Sequence, residues 1–113
     1  MSEVKNLSNG IQLSNTVSIG YARRKQILVD MIASLADAEA DQPDSITFNE
    51  TLILPEFPTD TERITLLQLI THGKEAACRG EFHLPEERVI PFALFVDFKS
   101  AGKDEIVGLH YFT

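Results

Sequence analysis

The segment RVIPFALFVDFKS, residues 88–100, constrains the fold more than any other part of this chain. Phe92, Leu94, Val96 and Phe98 recur at every second position, and a strand is the conformation that sends alternate side chains to opposite faces. A helix would scatter the same four residues around its circumference. Pro91 lacks an N–H for a ladder, which places it at a strand beginning or an edge. The glycine-containing link SAGKD leads into EIVGLHYF, and the two runs are expected to form a C-terminal β-hairpin.

A sheet with one apolar face needs a cover, and the stretch from Tyr21 to about Ala40 is suited to provide it. Ile27, Leu28, Met31, Ile32 and Leu35 recur at helical spacing, and Pro43 stops the helix. Its charges oppose the helix dipole, with Arg23, Arg24 and Lys25 at the start and Asp37, Glu39 and Asp41 at the end. Each such exposed placement costs about 0.3–1 kcal/mol, which packing of the apolar stripe can override.

The alternation in SITFNETLIL, residues 45–54, predicts a half-buried strand that Pro55 and Pro58 end. Thr59 and Glu62 then have capping-box spacing. They predict a second helix with Leu66, Leu67, Leu69 and Ile70 on its buried face and Gly80 as its left-handed stop. Residues 10–19 read as a short bulged or edge strand, and EFHL before Pro85 as another. Residues 1–9 are polar and unpatterned, the pattern of a flexible leader. The expectation is therefore a single domain over residues 10–113 in the α+β class. Two helices would lie on one face of a mostly antiparallel or mixed sheet of three to five strands.

A chain of 113 residues holds one hydrophobic core. With 43% hydrophobic and 24% charged residues it has the usage of a folded globular domain rather than a disordered or disulfide-bonded one. One cysteine, a start (MSEVKNLSNG) without the character of a secretory signal, and no apolar run near membrane-spanning length make the cytoplasm the expected compartment.

Charge is distributed unevenly. Nine acids and no Lys or Arg fall between Gln26 and Glu62, so the whole net charge of −7 lies in that segment. Such a balance disfavours direct binding to a phosphate backbone, which depends on clustered cations. It suits docking to a cationic protein surface.

Other candidate chemistry is weaker. Cys78 lies between His72 and His83, but without the close paired spacing of metal motifs, and a lone cysteine usually fills apolar space. Asp97 and Lys99 share one face of a strand, an arrangement that in metal-dependent nucleases holds a cation beside an ammonium. The same acid-x-Lys pattern also occurs at Glu3-Val4-Lys5, so its specificity is poor. His110 has no partner in the sequence pattern.

The leading expectation is a non-enzymatic cytoplasmic interaction module presenting an acidic surface to a basic partner protein. It would act as an inhibitor, an immunity-type protein or an adaptor, including one carried by a phage or mobile element. Asp37, Glu39, Asp41 and Asp44 are the expected contacts, with Arg23 and Arg24 at the other end of the same helix. No cofactor, metal, catalytic residue, nucleic acid or membrane partner is expected. The alternative is a small metal-dependent nuclease-like or ligand-binding protein using the outer sheet face, with Asp97, Lys99, His110 or Cys78 as its residues. A homo-oligomer formed through the C-terminal hairpin is a third expectation.

Overall fold

A computed structural model describes residues 3–7, 9–16, 23–37, 47–49, 52–100 and 103–113. They form one helix and a seven-stranded mixed sheet, an α+β arrangement. The elements are β1 (Glu3–Asn6), β2 (Gln12–Asn15), α1 (Arg23–Ala36), β3 (Thr47–Phe48), β4 (Arg63–His72), β5 (Glu75–His83), β6 (Val89–Ser100) and β7 (Lys103–Phe112). A 3-10 turn over Pro85–Glu87 joins β5 to β6. The strand order is β1-β2-β4-β5-β6-β7-β3. Strands β4 to β7 form an antiparallel meander, β2 runs parallel to β4, and β3 adds a parallel pair to β7 through only two residues.

The hairpin of β6 and β7 and the helix α1 follow the sequence reading. Phe92, Leu94, Val96 and Phe98 are all buried on the inner face of β6, with Ile106 beside them on β7. Helix α1 packs on β4 and β5 and buries Ile27, Leu28, Met31 and Ile32.

The second helix is not there: the stretch expected to form it is two strands, β4 and β5. A β-bulge between Leu66 and Gln68 shifts the register of β4, so Ile64, Leu66 and Leu69 all point inward. The extra residue breaks the period of two and leaves apolar residues at 66, 67, 69 and 70, a spacing that imitates a helix. Gly73 has φ +57° at the first central position of the two-residue turn between the strands, a conformation that glycine accepts without strain. Gly80 is no helix stop. It is a buried strand residue whose missing side chain makes room for the Thr65 carbonyl oxygen and the Phe92 ring. Thr61, inside the expected helix start, donates its hydroxyl to the Pro58 carbonyl at 2.7 Å and closes a turn.

Two other segments depart from expectation. Residues 3–6, read as leader, pair antiparallel with β2 as the edge strand β1. Of the strand expected over residues 45–54, Thr47–Phe48 is strand, residues 52–54 are not, and residues 45, 46, 50 and 51 lie outside the described residues. The turn after β1 is fixed by Asn9, whose Oδ1 accepts from the Ile11 amide while its Nδ2 donates to the Ala36 carbonyl at the end of α1.

A helix of 14 residues is about 21 Å long and leaves part of the inner face to other cover. The connector before β4 supplies it. Phe57 lies 4.9 Å from the Phe82 ring and 5.7 Å from Tyr111, and Phe82 stacks on Phe92 at 4.4 Å. The inner face is thus closed by α1 at one end and by an aromatic cluster at the other.

Candidate interaction face

The opposite face of the sheet has no element packed on it among the described residues. Register places Ile70, Ala77, Phe95 and His110 in one row across β4 to β7, and Gln68, Arg79, Ala93 and Phe112 in the next. Ile70 is 50% exposed, Phe95 48% and Phe112 57%. Val89, on the same face toward the other end of β6, is 45% exposed. Large apolar side chains standing half out of one sheet face form a contiguous patch, which is what distinguishes a contact surface from scattered exposed residues.

The patch has relief. Phe95 and Phe112 meet edge to face with ring centroids 5.9 Å apart and rise above the small side chains of Ala77 and Ala93. A shallow depression of about 160 Å³ runs beside them, lined by Gln68, Ile70, Ala77, Cys78, Arg79, Ala93 and Phe95. A second of about 330 Å³ adjoins it through Arg79 and Ala93 and reaches Glu81, Pro91 and Phe112. Polar residues border this apolar centre on its β4–β5 side: Arg79 donates to Gln68 Oε1 at 2.9 Å, and Thr65 lies 3.1 Å from His83 Nε2.

Of the chemical alternatives, the same geometry brings Asp97 and His110 together and sets Cys78 apart from them. Cys78 points to the inner face, 4% exposed, and burial pushes its thiol up to about 12, so it stays protonated and is no nucleophile at neutral pH. Asp97 and Lys99 do share the outer face, but each is engaged across the hairpin. Asp97 Oδ2 is 3.6 Å from His110 Nε2, and Lys99 Nζ is 4.0 Å from Glu105 Oε2. These are solvent-exposed pairs of small energetic weight. Among the described residues no group of three His, Cys, Asp or Glu is placed to hold a metal ion.

The structure redistributes the residues expected to meet a partner. Of the acids Asp37, Glu39, Asp41 and Asp44, the last three lie outside the described residues. Asp37 is 2% exposed, so its side chain is withdrawn from the surface on which a docking acid must stand. Arg24 is an internal anchor. It donates to the Gly73 carbonyl at 2.7 Å and the Ser100 carbonyl at 2.9 Å, with its guanidinium 4.1 Å from the Phe98 ring centroid. Its charge at the helix start, unfavourable toward the dipole, is met by these carbonyls and the ring. Arg23 remains exposed. The sequence reading assigns the outer face to a nuclease-like or ligand-binding alternative and the C-terminal hairpin to a homo-oligomer, but it expects Ile70 on the buried face of a helix and does not single out Phe112. The legible signal was Phe95 alternating against the inward Leu94 and Val96.

Comparison with known protein families, with curated proteins and with solved structures returns no match to this chain. No helix among the described residues is long and apolar enough to cross a membrane.

Proposed function

We propose that this protein is a non-enzymatic interaction module whose contact surface is the outer face of the sheet. The observation that carries the reading is the patch of half-exposed Ile70, Phe95 and Phe112 around the small residues Ala77 and Ala93, bordered by polar groups. A desolvated apolar centre with a polar rim is the anatomy of a protein–protein contact. A photo-crosslinking side chain at position 95, expressed in the native host, is expected to give defined protein adducts. The same group at position 30 on helix α1 is expected to give none. Equal labelling at both positions, or none at 95, refutes the proposal.

A second reading keeps the acidic segment as the docking surface for a basic partner, on the exposed positions Glu56 and Glu62. Asp60 belongs to it less, since it pairs with Arg88 at 3.0 Å. Capture governed by these acids weakens as salt rises, whereas capture by the apolar face holds.

A further inference from the structure

We infer that the occupant of the outer face is a second copy of this chain, packed sheet against sheet about a two-fold axis. The axis would cross the strands at the level of Gly80 and Phe92. This rests on the interaction-module reading and names its partner.

The argument is one of self-complementarity. A two-fold interface must pair a surface with itself, so each residue on one side of the axis has to suit the residue equally far on the other side. Gly80 and Phe92 are register partners on β5 and β6. Around that level, Arg79 of one copy meets Glu81 of the other, and Glu81 meets Arg79 in return. Among the described residues Arg79 bonds only Gln68, and Glu81 reaches only His83, at 3.8 Å. The reciprocal pair therefore gives Arg79 a carboxylate, and Glu81 a guanidinium, that neither has among the described residues.

On β6 the same operation sets Ala93 against Pro91 and Phe95 against Val89. The last two are the exposed large apolar side chains of that strand's outer face, at 48% and 45%. Each projecting Phe95 ring thus gains an apolar contact, and each Ala93 leaves room for a facing proline. Thr65 and Gln68 of β4 fall opposite one another at the rim.

The overlap is that of a small interface. Turning about the Gly80–Phe92 level sets residues 77–83 of β5 and 89–95 of β6 against their own copies, with the matching part of β4 beside them. Three strands at about 4.8 Å spacing over roughly 23 Å give a contact of roughly 330 Å² in projection, the size of a weak association. Facing sheets pack about 10 Å apart with strands within about 30° of each other, which keeps residues near the axis in register.

Sedimentation equilibrium of the purified full chain is expected to give twice the monomer mass of 12.6 kDa. Arg79→Glu and Glu81→Arg, each alone, place like charges together twice per dimer and are expected to raise the dimer dissociation constant at least tenfold. Mixing those two single variants restores both opposite-charge contacts, so the mixture is expected to dimerise as the wild type does. Phe95→Lys is expected to be monomeric with unchanged circular dichroism, which separates loss of contact from loss of fold. A wild type that is monomeric at millimolar concentration overturns the inference, as does a mixture no more associated than its components. If the purified chain is monomeric yet position 95 crosslinks to a different protein, the second copy is ruled out and the interaction module stands. No adduct at position 95 rules out both.

Discussion

Replacing Arg24 by alanine tests whether this residue is a partner contact or a structural anchor. Its guanidinium donates to two backbone carbonyls, on the β4–β5 turn and at the end of β6, and lies over Phe98. Bonds from a charged donor are worth about 1.5–3 kcal/mol each when shielded, and a cation over a ring adds about 0.5–1 kcal/mol. The Gly73 bond is exposed and counts for little. The Ser100 bond is partly buried and carries most of the effect. The expected loss is about 3 kcal/mol, a fall in melting temperature of roughly 10 °C for a domain of this size. Urea unfolding followed by circular dichroism should show a lower midpoint with an unchanged m-value. Arg24→Lys keeps the charge but cannot fork to both carbonyls, and should recover less than half of the loss. A change below about 0.5 kcal/mol in Arg24→Ala, the ordinary range of surface substitutions, would refute the anchoring role.

Four further outcomes follow from the packing. Gly80→Ala drives a methyl group into the Thr65 carbonyl and the Phe92 ring and should cost about 2–3 kcal/mol, whereas Gly73→Ala meets open space and should cost only about 1 kcal/mol for its positive φ. Equal losses in chemical denaturation would contradict that difference. Cys78 should resist thiol reagents at pH 8 in the native state and react on unfolding. Burial raises its folded pKa from 9.0 to about 12, so its contribution is complete below pH 9 and lost as pH rises from there toward 12. Stability of the wild type should therefore fall more steeply over that window than stability of Cys78→Ala. Phe57→Ala removes the ring that lies against Phe82 and Tyr111 and should cost about 2–3 kcal/mol, read by the same urea unfolding.

Where one face of a segment is buried and its period is unbroken, sequence alone was decisive. The period of two in β6 and the period of 3.6 in α1 each follow from local backbone geometry, and both elements formed as expected. The burial of Cys78 was legible for the same kind of reason, since a small apolar side chain without nearby ligands belongs in a core.

Tertiary structure decided the rest. A single bulge in β4 erased the strand period and made two strands look like a helix, because local pattern does not record where a ladder gains a residue. The edge strand β1 exists only because β2 lies beside it, and its own sequence carries no alternation to announce that pairing. Whether a charge faces solvent or the interior depends on what the chain brings to it from far away. Arg24 is held by carbonyls 49 and 76 residues further along the chain, and Asp37 is buried at the helix end. Composition and period set which residues seek the core. Only the packed sheet determined that, among the described residues, nothing packs on one of its two faces, because that depends on how much of the sheet the helix and the connector can reach.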